Sequence, residues 1–363
     1  EYQAQLADSS LRWETRIEKN IGLDATLFNN RFTASIDVYN SLSKNVLVLL
    51  PVPQYLGSSG SAFVNAGSIR NTGIEFSATY HSPTSGSGSQ GLQWSVSGNF
   101  TTIKNRVVSV GNQGTNDYLE SSNHFIRAQV GHSIGQWYVI RTAGIFQSQQ
   151  EIDAYVDKNG NMIEPNAHPG DIKFVDANGD GVINNLDRQY AGSPWPTLQA
   201  GAQFNATYHQ VTINIQLVGL FGNKIYDDVR RVLDSYQLTN FRSDIDPWSP
   251  TNPNGKDPRL AVDQPADPQV SQNNIPQSDR WLESGSYVRI RNVEIGYLFQ
   301  KSVLDRVNFT NARLYISGQN LLTLTKYKGL DPDVQGSGIL ERGYDVGNWP
   351  AARVISIGLQ CEF

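Results

Sequence analysis

Apolar residues recur at every second position in one segment after another of this 363-residue chain, a period that builds strands and not amphipathic helices. Residues 21–27 set Ile21, Leu23, Ala25 and Leu27 against Gly22, Asp24 and Thr26. Asn29-Asn30, a pair that accepts the positive φ of a tight turn, leads into Phe32, Ala34, Ile36 and Val38, which predicts a hairpin. Equivalent runs start at Ile74, Trp94, Ala202, Val211, Val293, Ala312 and Ile355, so nine strands are expected. The phase slips once, between Ile290 and Val293, which predicts a β-bulge near Arg291-Asn292.

The connections decide the architecture. Short ones at 29–30, 82–91, 209–210 and 301–310 alternate with long ones at 49–66, 106–196, 225–285 and 325–350. A soluble sandwich has no reason to gather its long loops at one end, whereas an outer-membrane barrel has short periplasmic turns and long outer loops. The expected fold class is therefore all-β: a transmembrane antiparallel β-barrel. Phe32, Tyr80, Trp94, Phe299 and Phe363 suit its interfacial girdles, and the Asp, Glu, Ser, Thr, Asn and Gln of the opposite faces suit a watery lumen. With the last strand running inward, every short turn falls on the periplasmic side. Nine strands is an odd number where bacterial single-chain barrels have even ones, so the chain is expected to form part of a larger barrel.

Composition removes several other classes. No apolar run is long enough for a membrane helix, which leaves a barrel possible because its strands alternate. A formal charge of -5, with no Lys/Arg-rich run, argues against nucleic acid as a partner. Cys361, the single cysteine, makes no internal disulfide and reads as a small apolar filler. The chain starts at Glu1 without the signal peptide of an exported protein, so that end is expected to be a processing boundary.

An acidic stretch, GDIKFVDANGDGVINNLDR over 170–188, contains a twelve-residue loop of EF-hand spacing. Oxygen-bearing side chains stand at its positions 1, 3, 5, 9 and 12: Asp176, Asn178, Asp180, Asn184 and Asp187. Gly181 falls at the sharp turn and the Val182 carbonyl at the backbone-ligand position. Calcium, a hard cation, suits these donors and zinc does not. Asp187 in place of the usual bidentate Glu favours a structural staple over a calcium switch. The same residues also favour an ordinary solvated turn.

Other motifs carry less. The 86–91 stretch matches GxGxxG by letter, yet a strand follows where a dinucleotide site needs a helix. His81, His124, His132, His168 and His209 lack zinc-site spacing. The sequons at Asn99, Asn205 and Asn308 lie in strands or a turn. No GxSxG elbow occurs, and no acid/base pair is assignable from spacing alone, so the chain is not expected to be an enzyme.

Several long blocks in the same order resemble the C-terminal part of SusC/RagA-type TonB-dependent outer-membrane transporters. They are LRWETRIEKNIGLDATLFNNRFTASIDVYN, NAGSIRNTGIEFSATY, GDIKFVDANGDGVINNLDR, SDRWLESGSYVRIRNVEIGY and ARLYISGQNLLTLTKYKGLDPDV. The resemblance implies an outer-membrane barrel of about 22 strands closed by an N-terminal plug absent from this sequence. It implies a SusD-like surface lipoprotein as lid, TonB as energy source, and a dimer of transporter–lipoprotein pairs in the outer membrane of a Gram-negative bacterium. The ligand it implies is an oligosaccharide or, as in RagA-like importers, a peptide. The family's acidic loop matches Asp176 to Asp187.

On that reading residues 106–196 and 225–285 are extracellular loops, the second with a helix over Tyr226 to Leu238 whose Val229, Val232, Leu233 and Tyr236 share a face. Trp248 and Trp281 are the candidate rings for sugar stacking. Anchoring of the loops is favoured for both, because a stacking platform needs polar neighbours that sequence does not locate. The rival from another class, a secreted calcium-dependent β-rich binding module, predicts a second copy of the twelve-residue loop, and one copy is found. A glycan-cleaving enzyme predicts convergent carboxylates.

Overall fold

The computed structural model describes the chain apart from residues 1–10, 52–60, 66, 84–90, 111–117, 121–124, 235–241, 261–272, 274–276, 307–308, 337 and 339. The alternating segments form one antiparallel sheet whose nine wall strands are neighbours in chain order. They are β1 (Thr15–Leu27), β2 (Phe32–Lys44), β3 (Gly67–His81), β4 (Gln93–Thr102), β5 (Leu198–Tyr208), β6 (Val211–Phe221), β7 (Tyr287–Leu298), β8 (Asn311–Thr325) and β9 (Val354–Glu362). A further strand, Lys104–Val110, continues β4 beyond Ile103 and pairs with the first part of β3.

Register turns the sequence pattern into two surfaces. Trp94 stands beside Ala206, Ala206 beside Ile213, Ile213 beside Ile295, Ile295 beside Ile316, and Ile316 beside Ile357. Leu23, Ile36, Phe76 and Phe100 form a second apolar row. Ile21 is 83% exposed and Ile357 77%, so none of the described residues covers this face. A contiguous apolar surface of that kind marks contact with lipid or a partner. Between these rows run polar ones, such as Asn205, Asn214, Glu294, Ser317 and Ser356.

The hairpin at Asn29-Asn30 forms as expected, with both asparagines at positive φ (55° and 66°), and His209 at φ 51° closes the β5–β6 turn. Residues 84–90, which hold most of the glycine-rich 86–91 turn, lie outside the described residues. The expected bulge is present: the register on both sides of β7 shifts between Ile290 and Asn292. Among the described residues no helix is long and apolar enough to cross a membrane, which says nothing against a barrel.

The long connections are not open loops. Between β4 and β5, strands Tyr118–Glu120, Ile126–Gln129, Gln136–Ile140 and Arg188–Tyr190 form a small sheet. Beside it Thr142–Ile145 pairs with Ile172–Phe174, and helix α1 (Gln149–Asp153) follows the first of that pair. In the next connection Lys224–Asp227 pairs with Leu282–Ser284, and also with Tyr344–Asp345 from the last one. Three connections are thus knitted into one cap. The loop expected to begin at Arg106 begins after Val110, because Arg106 belongs to a wall strand.

The helix expected over Tyr226 to Leu238 is shorter among the described residues: α2 spans Asp228–Leu233, capped by the Asp227 carboxylate, which accepts from the Arg230 N–H at 2.8 Å. Tyr226 belongs to the preceding strand. None of the α2 residues is buried; Val229 and Val232 are exposed, and Tyr236 lies outside the described residues. Charge pairs of Arg230 and Arg231, not an apolar face, hold this turn.

Candidate functional site

The apolar centre of the cap is built from residues far apart in sequence. Phe125, Ile126, Trp137, Val139, Tyr226 and Trp281 pack together, with Phe125 stacked on Tyr226 at 4.7 Å. Trp281 has no exposed surface, and the Arg280 guanidinium lies over its ring at 4.3 Å. Trp248 is 9% exposed, and its indole N–H donates to Gln147 Oε1 at 2.8 Å. Gly170, at φ +96°, lets the backbone approach that indole; a Cβ there would come within 2.4 Å of the ring. Both tryptophans therefore sit as anchors, and neither turns a free face to solvent in this arrangement.

Around that core lies a network of buried charge. Asp234, 1% exposed, accepts from Arg242 Nε at 2.7 Å and from Arg280 Nη2 at 3.2 Å. Arg230 donates to Glu283 at 3.0 Å and to Asp257 at 3.2 Å. Asp171, fully buried, accepts from Arg259 Nε at 2.6 Å, Asn273 Nδ2 at 2.7 Å and the His168 N–H at 2.7 Å. Removing one partner of such a pair leaves a buried charge uncompensated, typically at a cost of about 3–5 kcal/mol. Burial pushes the Asp227 carboxyl up to about 6, and the nearby Glu283 and Asp345 add to the shift. Sequence reasoning missed this network. Its partners lie up to 102 residues apart, as in Asn273 with Asp171, and no local motif links them.

The acidic loop is positioned by its own amides. Asp176 accepts from the N–H groups of Gly179 at 2.7 Å and Gly181 at 2.9 Å. Asp187, with no exposed surface, accepts from Ala177 at 2.9 Å and Asn184 at 2.7 Å. Gly181 takes φ +85°, the sharp turn expected at the sixth position. Asp180 receives the Asn178 amide at 2.8 Å and the Val182 N–H at 2.9 Å; these bonds hold its carboxyl below the usual range. The Val182 carbonyl accepts from the Asn184 amide at 3.2 Å. Thus Asn178, Asp180, Val182 and Asn184 are brought together. Among the described residues, however, no group of three His, Cys, Asp or Glu side chains is close enough to hold a metal ion. Asp176, Asp180 and Asp187 are held instead by N–H groups, which occupy only part of a carboxylate's acceptor capacity.

The polar face of the wall is dense in amides. Asn214 donates to Asn205 Oδ1 at 2.6 Å, Asn292 to Asn214 Oδ1 at 3.2 Å, and Asn205 to Ser95 at 3.4 Å, a chain across β4, β5, β6 and β7. Higher on β7, Arg289 donates to Asp331 at 2.5 Å, tying the β8–β9 connection to the wall. Burial opposes ionisation of Asp331, but the N–H groups of Asp333 and Ala351, with Arg289, hold its carboxyl below the usual range.

A two-faced antiparallel wall with a folded cap on its long connections defines an outer-membrane β-barrel. Residues 2–167 match the family model described as TonB dependent receptor-like, beta-barrel. TonB-dependent receptor P3 of Formosa agariphila is 31% identical over 98% of this chain and 35% of its own length. SusC of Bacteroides thetaiotaomicron is 25% identical over 98% of this chain and 32% of its own length. The fold also matches the solved RagAB peptide transporter, with TM-score 0.73 and 21% identity over 97% of this chain and 36% of that one. Over nearly its whole length the chain is similar to the TonB-dependent receptor β-barrels of the outer membrane of Gram-negative bacteria. It spans about a third of the length of the curated relatives it matches.

Proposed function

We propose that this chain is the barrel wall and outer cap of a TonB-dependent importer of large nutrients, oligosaccharides foremost, working beneath a SusD-like lipoprotein. The observation that carries the reading is the continuous wall with an uncovered apolar face on one side and amide rows on the other. Amides offer donor and acceptor together and so suit hydroxyl-rich ligands. Among the described residues, β1 and β9 end the sheet with unpaired edges. Lipid tolerates no open edge, so further strands of the same protein close the barrel to about 22. Ligand passes from the lid along the polar face when TonB acts on the plug, and the residues here contribute cavity shape and hydrogen bonds without covalent chemistry. Pairs of transporter and lipoprotein assemble as dimers.

Isolation of the full-length protein from native outer membranes, with mass spectrometry of what accompanies it, tests this reading. Recovery of a surface lipoprotein and a bound oligosaccharide is expected. A bound peptide would move the reading to a peptide importer, and recovery alone in the soluble fraction would overturn it.

We also propose calcium as a structural ion of the 176–187 loop. Its oxygen donors follow the spacing of a calcium loop, and its three carboxylates keep acceptor capacity beyond the N–H groups they hold, which a divalent cation drawing them inward would use.

A further inference from the structure

Where the polar face of β4 to β7 meets the connection between β8 and β9, it forms a hollow of about 420 Å³. That size lies within the range of roughly 300–1,000 Å³ common for small-molecule sites. Its floor carries Asn99, Gln199, Gln203 and Gln216, and its rim carries Asp333 and Gln335. Gln203 and Gln216 are register partners on adjacent strands, so their amides stand side by side.

The bulge of β7 changes the charge of this hollow. Ile290 is paired with Leu217 on the apolar side, Asn292 with Gln216 on the polar side, and Val293 with Ile215 on the apolar side. Arg291 is the extra residue between them, and it lines the hollow from β7. A bulge inserts one residue and re-aims side chains in this way, often beside functional sites. Arg342 enters the hollow from the β8–β9 connection, its guanidinium lying over the Trp195 ring at 4.7 Å.

These two arginines differ from the arginines of the cap network and from Arg289. Arg230, Arg242, Arg259, Arg280 and Arg289 each have a carboxylate within 3.2 Å. Among the described residues neither Arg291 nor Arg342 forms an ion pair. Asp333, the one carboxylate among the described residues lining the hollow, pairs with neither and receives the Gln335 amide at 3.4 Å. Two cations thus face one anion in a concave, amide-floored site.

We propose that this hollow is a subsite for the negatively charged group of an anionic oligosaccharide, a carboxylate or a sulfate ester. Arg291 and Arg342 take the anion, since a guanidinium presents a fork of donors matched to two oxygens of one group. Asn99, Gln203 and Gln216 bond the neighbouring hydroxyls. The inference rests on the import reading and narrows its substrate class.

Calorimetry on the full-length protein, extracted from outer membranes in detergent, tests it with three probes of equal length. They are an oligogalacturonate, a sulfated oligogalactan and neutral maltohexaose, each titrated into the parent protein, Arg291→Gln, Arg342→Gln and the double variant. One or both anionic probes should bind at least tenfold tighter than the neutral one, and which of them does so distinguishes carboxylate from sulfate. Each single variant should weaken that binding by roughly tenfold or more. The double variant should bind all three probes alike. Equal binding of neutral and anionic probes by the parent would overturn the inference, as would variants that leave anionic binding intact because both arginines pair elsewhere in the full chain. Unchanged heat-modified migration of the variants in gels checks the barrel. If a lipoprotein still accompanies a protein indifferent to ligand charge, this inference alone fails; if none accompanies it, the import reading fails first.

Discussion

Ile357→Arg separates a lipid-facing wall from a solvent-exposed sheet by a margin that can be worked out from the structure. Ile357 is 77% exposed and stands in the apolar row with Ile316, Ile295 and Ile213. It precedes the exposed Phe363 by six residues, about 20 Å along the strand at ~3.3 Å per residue. With strands tilted by about 40°, that is roughly 15 Å along the membrane normal, near the middle of an apolar band about 25 Å tall. Arginine on the lipid face at the midplane costs about 2–4 kcal/mol. The same change at an exposed position in water falls within about 0.5 kcal/mol of neutral. Ser356→Arg, one residue away in the polar row, is the matched control. Denaturant titration of the full-length protein folded into lipid vesicles, followed by tryptophan fluorescence, should show the loss for Ile357→Arg and almost none for Ser356→Arg. Equal, small effects for both would refute the assignment of faces.

Calcium titrated into the calcium-depleted full-length protein should give saturable heat and raise the melting temperature of the cap, and Asp180→Ala should abolish both; identical thermograms would remove the metal. Asp227 titrates near 6 in the folded state and near 3.9 unfolded, so the folded form binds the extra proton and stability falls as pH rises from about 4 to 6. That penalty is on the order of 2–3 kcal/mol at neutral pH, and Asp227→Asn, which keeps a capping oxygen, should flatten the slope in hydrogen exchange of the cap measured at pH 5 and 7.5. Trp281→Ala removes a fully buried ring and should cost about 3–5 kcal/mol of cap stability by the same exchange readout. Loss of ligand binding without loss of protection would instead assign Trp281 to the ligand.

The wall was legible because each strand divides its residues between lipid and water, so the period of two survives in the bare sequence of β2 or β6. The bulge at Arg291 was legible for the same reason, as a break in phase between Ile290 and Val293. The cap was not. Its strands run two to five residues, too short for a period to show, and they find partners across long separations, as Tyr226 does with Tyr344 and Ile140 with Ser278. Trp281 read as an anchor or a stacking ring, since burial is decided by Phe125, Trp137 and Tyr226 arriving from elsewhere. In the acidic loop, spacing fixed the turn at Gly181 and the order of donors. How closely Asp176, Asp180 and Asp187 approach depends on which amides they accept from, and spacing does not encode that.

A nitroxide scan along residues 354–362, in the full-length protein in native-like membranes with Cys361 replaced by Ala, tests the two-faced wall most directly. Accessibility to oxygen and to a water-soluble nickel chelate should alternate with a period of two and in opposite phase. Oxygen should favour positions 355, 357 and 359, and the chelate positions 354, 356 and 358. Equal access of the chelate to both sets would contradict a membrane barrel and leave a sheet bathed in water on both faces.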